Sequence, residues 1–198
     1  MKKLVGVILI CLGINACTEV VDPSTLITDD VGVVHRTIAY QKDTRGRREF
    51  PMELDATGHK RFLFDPKLAA WAAYDANGHR VMTGAASGGK DYCEDSGAPC
   101  RTVTGRFHVY NKRGLDCRSG EYPVETTGGA RMPYCMYFFR GFTIHAAYEV
   151  PTHNTSHGCI RVWPSAAKWL NENFIENGTE VTVLSYEGED GDGAPVSS

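Results

Sequence analysis

The chain has 198 residues, a length that suggests one domain of ordinary size with short appendages. Hydrophobic residues make up 42% of the chain and charged residues 23%, which is typical of a soluble globular protein. The formal net charge of -3 leaves no basic field that would attract nucleic acid to the whole surface, so nucleic acids are not expected partners.

The N-terminal residues are typical of an export signal. Two lysines precede an apolar stretch, residues 4–12, that is too short to cross a bilayer as a stable helix. The sequence Ile-Asn-Ala-Cys at 14–17 resembles a bacterial lipobox, which predicts a lipoprotein signal peptide over residues 1–16 and lipidation of Cys17. Because Thr18 and not aspartate follows the cysteine, we expect a periplasmic protein, lipid-anchored at the outer rather than the inner membrane. An ordinary cleaved signal with a chance cysteine is the alternative.

Residues 17–61 are interpreted as a tether followed by an N-terminal extension. Residues 31–40 have strand-like content, and the basic cluster at 45–48 is typical of a solvated loop, with contact to anionic lipid or glycan as the alternative. The sequence does not decide whether this extension is an extra strand, a small accessory unit or a spacer.

Five cysteines follow the proposed lipidation site. Export would place them in an oxidising compartment, where paired cysteines form disulfides. Four of them can pair in three ways, and proximity along the chain favours Cys93–Cys100 and Cys117–Cys135. Each bridge would close a local loop and stabilise the fold by roughly 2–3 kcal/mol. Cys159 is then left over, either unpaired by accident or kept free for chemistry.

The body of the chain is predicted to be mainly β. Residues 68–74 and 80–83 have the composition of strands, and Asp-Ala-Asn-Gly at 75–78 between them favours a tight hairpin turn. A strand is predicted at 107–110, between two long glycine-rich loops that carry the paired cysteines. A second hairpin is predicted over 136–146.

One clear helix is predicted near the end of the chain. Pro164 supplies a start signal, apolar side chains up to Phe174 fall on one helical face, and Asn-Gly at 177–178 is expected to end it. Residues 179–184 alternate as a closing strand. The segment 186–198 is acidic and poor in apolar residues, so it is expected to be disordered.

The candidate nucleophile is Cys159, within Ser-His-Gly-Cys-Ile-Arg at 156–161. A cysteine attacks carbonyl carbon as the thiolate, so it needs a base or a lowered pKa. His145 lies in a predicted strand, and an imidazole is the usual base near neutral pH. Gly158 permits a tight turn that could aim the amides of Gly158 and Cys159 at one point, forming an oxyanion hole.

These residues resemble the active-site signature of the L,D-transpeptidase catalytic domain (YkuD-type) family. Thr-Gly-Arg-Phe at 104–107 and Met-Pro-Tyr at 132–134 also resemble segments of that family, and the resemblance covers residues 62–185. It implies a β-sandwich-like fold with one or two helices packed on it. It also implies acyl transfer through a cysteine thioester, with peptidoglycan peptide stems as substrates and no cofactor.

The resemblance also assigns roles to individual residues. Cys159 would be the nucleophile and His145 the general base. The residues expected to orient the base or to form the oxyanion site are Ala146 (through its carbonyl), Ser156, His157 and Gly158. The residues expected to contact substrate are Met132, Tyr134, Arg161 and Trp163. Core packing is the alternative for Tyr134 and Trp163, packing under the site is the alternative for Arg161, and a structural role is the alternative for His157.

The sequence departs from the family in two ways. The stretch 147–155 between base and cysteine motif is short, which suggests a reduced lid, and the paired cysteines are not general to the family, which suggests unusual substrate preference. The acyl acceptor therefore stays open: an amine of another stem, a protein lysine, or water in an L,D-carboxypeptidase or amidase. A non-catalytic peptidoglycan-binding lipoprotein is a further alternative. The histidines near Cys159 lack the spacing of zinc ligands, so no metal is predicted.

Overall fold

The computed structural model describes residues 26–28, 34–36 and 43–188. The predicted signal peptide over 1–16, the lipidation site Cys17, most of the tether and residues 189–198 of the predicted tail lie outside the described residues. Within the described ranges, no helix combines the length and the apolar character needed to cross a membrane.

The described residues form thirteen strands in chain order. They are β1 (Leu26–Thr28), β2 (Val34–Arg36), β3 (Arg61–Asp65), β4 (Ala70–Tyr74), β5 (Arg80–Ser87), β6 (Tyr92–Cys93), β7 (Ala98–Pro99), β8 (Gly105–His108), β9 (Asn111–Lys112), β10 (Met136–Phe139), β11 (Phe142–Ala146), β12 (Ile160–Val162) and β13 (Glu180–Val183). Nine of them form one sheet in the order β8-β13-β3-β4-β5-β12-β11-β10-β9, and β1-β2 and β6-β7 form two small separate pairs.

The large sheet curls on itself. Strands β8 and β9 follow one another in the chain but stand at opposite edges of the sheet, and β8 also packs against β10. The curl encloses a core in which Phe62 and Trp71 stack with ring centroids 5.5 Å apart. The mainly β, sandwich-like fold expected from the sequence is confirmed.

The first predicted hairpin is present and joins β4 to β5. Asp75 accepts backbone hydrogen bonds from Asn77 and His79, both at 2.9 Å, and fixes the turn. Gly78 has a φ of +88°, and a β-carbon there would lie 2.0 Å from the carbonyl oxygen of Leu54. Only glycine meets both conditions, so the Asn-Gly signal located this turn correctly.

The predicted helix is shorter than expected. Helix α1 spans Pro164–Trp169 and continues as a wider helical turn over Leu170–Phe174. It ends three residues before the Asn-Gly signal, because Lys112 donates to the carbonyl oxygens of Asn171 and Ile175 at 2.5 and 2.6 Å. A cation from a neighbouring strand thus satisfies carbonyls that a longer helix would have bonded internally.

Both expected disulfides are formed. Cys93–Cys100 joins α-carbons 5.9 Å apart and Cys117–Cys135 joins α-carbons 6.2 Å apart. Cys159 is the free cysteine of the described residues. We name residues 93–100 the first disulfide loop and residues 117–135 the second disulfide loop.

Candidate active site

The parallel pair of strands β11 and β12 brings the base and the nucleophile together. His145 lies opposite Arg161, and Ile144 lies opposite Ile160. Because side chains alternate across a strand, Thr143 and His145 share one face with Cys159 and Arg161. Thr143 donates a hydrogen bond from its hydroxyl to Sγ of Cys159 at 3.4 Å.

The turn that presents Cys159 is held by Ser156. Its Oγ accepts a hydrogen bond from the Gly158 amide at 3.1 Å and donates to the carbonyl oxygen of Cys159 at 2.5 Å. Gly158 has a φ of +116°, and a β-carbon there would lie 2.6 Å from the ring of Phe142. The expected turn is therefore present, but the Gly158 amide is already bonded to Ser156. This differs from the oxyanion hole expected from the sequence, in which that amide would point at substrate.

His145 is held in one tautomer. Its side chain is buried, and Nδ1 lies 2.9 Å from the carbonyl oxygen of Ala146. A carbonyl oxygen can only accept, so Nδ1 carries the proton and Nε2 of the neutral ring is left with a lone pair. Burial, aided by the positive charge of Arg161 and opposed by the hydrogen bond to Ala146, lowers the pKa of His145 to about 4. The ring is therefore neutral at pH 7 and can accept a proton.

Cys159 rests as a neutral thiol. Burial raises its pKa above the ordinary value, and the charge of Glu121 acts in the same direction. The hydrogen bond from Thr143 and the charge of Arg161 oppose that rise without cancelling it. A neutral thiol beside a neutral imidazole suits general-base catalysis, in which the proton leaves sulfur as the sulfur attacks.

The reactive pair opens into a large cleft. The cleft has a volume of about 1040 Å³, and both His145 and Cys159 line it. Its walls include parts of both disulfide loops and residues 147–149 of the short stretch that follows the base. A volume of this size is that of a small-molecule or peptide site.

Positive charge predominates in the cleft. Four arginines line it, and two glutamates, Glu121 and Glu149, stand against them. The arginines are Arg101, Arg131, Arg140 and Arg161. Because guanidinium groups bind carboxylates in a planar, bidentate manner, the cleft suits a substrate that carries several carboxylates.

His157, the non-nucleophilic histidine of the motif, contacts both disulfide loops. Its Nε2 lies 2.7 Å from a carboxylate oxygen of Asp95 in the first disulfide loop. Its ring lies 4.5 Å, centroid to centroid, from that of Tyr122 in the second. Neither Asp95 nor Tyr122 could be recognised as a contact of His157 from the sequence. The cysteine pairs marked their loops, but no local pattern indicated that these two residues point at the motif.

The residues expected to contact substrate divide into two groups. Met132 and Arg161 line the cleft. Tyr134 and Trp163 are not among the residues that line it: Tyr134 packs against the main core, and Trp163 packs with Ala85 and Val150. Core packing, the alternative weighed for both aromatic residues, describes their placement.

The short wall at 147–151 is held by the N-terminal extension. Arg45 forms an ion pair with Asp43 at 2.7 Å and donates to the carbonyl oxygens of Val150 and Pro151, both at 2.6 Å. Asp43 also accepts a hydrogen bond from the indole of Trp163 at 3.3 Å. At least this part of the extension, whose role the sequence left open, therefore supports the active-site wall.

One group in the described ranges has the spacing of metal ligands. It consists of Cys93, Asp95 and His157, whose ligand atoms lie within 4.8 Å of one another. Cys93 is bonded to Cys100, so its sulfur is not a thiolate and two potential ligands remain. Structural zinc sites use four protein ligands, which this group does not supply.

Comparison with known proteins points to one family. The family model of the L,D-transpeptidase catalytic domain (YkuD) matches residues 61–183. No curated protein matched the chain. Among solved structures, an L,D-transpeptidase from Xylanimonas cellulosilytica is 25% identical with a TM-score of 0.58, over 70% of this chain and 66% of that one.

Two more distant structures share the fold. An L,D-transpeptidase from Stackebrandtia nassauensis is 21% identical with a TM-score of 0.54, over 69% of this chain and 60% of that chain. L,D-transpeptidase 3 from Mycobacterium tuberculosis, solved with a faropenem-derived adduct, is 20% identical with a TM-score of 0.52, over 64% of this chain and 60% of that chain. The chain thus spans less than two thirds of the length of each of these relatives. Because the family model matches more than half of the chain, the chain belongs to the L,D-transpeptidase catalytic domain (YkuD) family.

Proposed function

We propose that this protein is a cysteine-dependent peptidoglycan L,D-transpeptidase. The observation that carries the proposal is that His145, with a lone pair on Nε2, and Cys159, the residue directly before β12, line one arginine-rich cleft. The donor is a tetrapeptide stem, which is cut between meso-diaminopimelate and the terminal D-Ala.

The first half-reaction forms the acyl-enzyme. Nε2 of His145 takes the thiol proton as Sγ of Cys159 attacks the carbonyl carbon of diaminopimelate, and a C–S bond forms. The C–N bond to D-Ala then breaks, and the imidazolium returns the proton to the leaving amine. The neutral resting state of both groups supports this order, because the proton moves only when the substrate is in place.

The second half-reaction transfers the acyl group to an amine of another stem or of a protein lysine. The amine attacks the thioester carbon, a C–N bond forms, the C–S bond breaks, and the amine proton passes through His145 to the thiolate. Stems carry carboxylates that suit the arginines of the cleft, and the N–H groups of an incoming neutral amine can donate hydrogen bonds to Glu121 and Glu149.

Hydrolysis of the same acyl-enzyme is the second candidate. The stretch 147–155 is short and the cleft is open, and both features favour the entry of water. The protein would then be an L,D-carboxypeptidase or an amidase that releases attached proteins.

A periplasmic location is part of the proposal. The lipobox-like sequence that ends at Cys17 supports a lipid anchor, with the outer membrane favoured over the inner. Two disulfides in a domain of this size support an oxidising compartment.

The experiment is incubation of the purified full-length protein, in detergent, with a diaminopimelate tetrapeptide muropeptide, followed by mass spectrometry. Cross-linked dimers with loss of D-Ala would establish transpeptidation, and tripeptide monomers alone would establish hydrolysis. The Cys159→Ala variant should give neither product while it keeps its fold. A wild-type protein that gives no product and is not acylated by a penem such as faropenem would overturn the proposal in favour of a binding module.

A further inference from the structure

The two disulfide loops meet at His157, two residues before Cys159. From the first loop, Asp95 contacts the ring of His157 at Nε2. From the second loop, Tyr122 lies against that ring, and its hydroxyl is near enough to the side chain of Ser96 in the first loop to interact with it. The loops are therefore joined both through His157 and directly to each other.

The contact with Asp95 is charged and directional. Partial burial acts to raise the pKa of Asp95, but the hydrogen bond and charge of His157 outweigh that effect and lower it. Asp95 is then ionised at neutral pH and can only accept, so Nε2 of His157 carries the proton of this bond. His157 is next to Gly158 in the turn that presents Cys159, so the bond also restrains that turn.

This contact lies beside the reacting sulfur. Tyr122, His157 and Cys159 all line the cleft, and the phenol of Tyr122 is close enough to Cys159 to interact with it electrostatically. Each loop is closed by a buried disulfide, so the loops can separate only at their contacts, not by opening at their bases.

We propose that Asp95, His157 and Tyr122 form a clasp that closes the two disulfide loops over Cys159, with Asp95 as the positioning residue. The clasp limits access to the thioester, so that a bound amine reaches it in preference to bulk water. The preference for an amine over water rests on the proposed transpeptidase function, whereas the closing of the loops concerns only access to the thiol.

A size-selective labelling experiment tests the clasp without any substrate. The full-length protein in detergent is treated with N-ethylmaleimide and, separately, with a polyethylene glycol maleimide, and the rate of labelling at Cys159 is measured by peptide mass spectrometry. Both reagents share one reactive group, so the ratio of the two rates cancels any change in the thiolate fraction. The ratio of the two labelling rates therefore reports steric access to Cys159.

The variant Asp95→Ala should raise the ratio of bulky to small labelling about threefold, the factor that one solvent-exposed charged hydrogen bond contributes to a closed state. Tyr122→Ala should raise it likewise. Glu94→Ala is the matched control, because Glu94 is adjacent in the same loop but pairs with Lys90 and not with His157. A ratio for Asp95→Ala equal to that of Glu94→Ala would overturn the clasp. If Asp95→Ala does not fold, Asp95→Asn carries the same expectation with a smaller rise.

The muropeptide assay then tests the consequence for the acceptor. In Asp95→Ala, tripeptide from hydrolysis should increase relative to cross-linked dimer, and because both products come from the same acyl-enzyme, this ratio does not depend on the rate of acylation. If the ratio of tripeptide to dimer is unchanged while the ratio of bulky to small labelling rises, the clasp stands. Its proposed role in selecting an amine over water would then be overturned. A wild-type protein without product or adduct would overturn the proposed function and leave the labelling result standing.

Discussion

The hydroxyl of Thr143, in strand β11, donates a hydrogen bond to Sγ of Cys159, the residue directly before β12, at 3.4 Å. This bond favours the thiolate, so it lowers a pKa that burial raises. The variant Thr143→Val keeps the shape of the side chain and removes the donor. We expect labelling of Cys159 by N-ethylmaleimide at pH 7 to slow roughly fivefold, the effect of about 1 kcal/mol.

The matched control for this prediction is Thr143→Ser, which keeps the hydroxyl. It should retain most of the wild-type labelling rate. Equal slowing in both variants would mean that the methyl group of Thr143, through packing, matters and the hydrogen bond does not.

Glu121 acts on the same thiol with the opposite sign. Its carboxylate raises the pKa of Cys159, so Glu121→Gln should lower that pKa and increase the thiolate fraction at pH 7. Because Glu121 is exposed, the increase in labelling rate should be about twofold and should fade at high salt. Glu125→Gln, an exposed residue of the same loop, is the control and should leave the rate unchanged. A gain that persists undiminished in high salt would argue against a Coulombic origin.

The lowered pKa of His145 predicts that the rate of acylation falls at an unusually low pH. Burial lowers that pKa from 6.5 to about 4, so the lone pair on Nε2 stays available throughout the range in which an ordinary histidine becomes protonated. The rate of faropenem acylation should therefore fall little between pH 7 and pH 5 and should drop as the pH approaches about 4. A limb centred on pH 6.5 would show that the ring is solvated in the working enzyme.

The same shift links His145 to stability. The pKa of His145 is lower in the folded state than in the unfolded state, so the unfolded chain binds a proton more readily. The folded state therefore loses stability as the pH falls from the unfolded-state pKa towards the folded-state pKa. The contribution of His145 is thus intact above pH 6.5 and is lost progressively down to about pH 4. In urea titrations, His145→Gln should remove this part of the pH dependence of the free energy of unfolding. If that free energy changed with pH as steeply in the variant as in the wild type, the lowered pKa of His145 would be contradicted.

The sequence was most informative where one residue type is required by local geometry. The turn at Gly78 and the turn at Gly158 both need a positive φ and leave no room for a β-carbon, so their glycines marked real structure. The tautomer of His145 is fixed by a backbone carbonyl, which is why the neighbouring residue could be alanine. The free cysteine and the histidine that lines the same cleft could be named as candidates for a similar reason, because few residue types perform the proposed chemistry.

Contacts between distant segments were not predictable. Asp95 meets His157 across 62 residues of sequence, and the aspartate sits in a loop whose composition fits ordinary solvent exposure. Tyr134 matched a family segment but packs into the core, because the chain direction at that residue is set by its backbone bond to Gly114. The helix ended early for a similar reason, since Lys112 comes from a separate strand. Sequence patterns report the local conformational preference of the backbone, whereas these features depend on contacts with residues that are distant in the sequence.

Arg45 links the N-terminal extension to the wall of the site. Its guanidinium is mostly buried, pairs with Asp43 and holds the carbonyl oxygens of Val150 and Pro151. The charge and hydrogen bonds of Arg45 lower the pKa of Asp43 although burial acts to raise it. In Arg45→Ala, Asp43 would stay largely buried without its cation and the two carbonyls would lose their donor. We expect the free energy of unfolding to fall by roughly 2–4 kcal/mol.

Arg48→Ala is the matched control, because Arg48 is exposed and three residues away in the same turn, and it should change the free energy of unfolding by less than about 0.5 kcal/mol. The double variant Asp43→Asn with Arg45→Ala removes the uncompensated charge, so it should recover part of the loss. Both quantities are read from urea unfolding followed by tryptophan fluorescence, and Trp163, which donates to Asp43, reports on the same contact. If Arg45→Ala were no less stable than Arg48→Ala, the extension would be a spacer and not a support for the active-site wall.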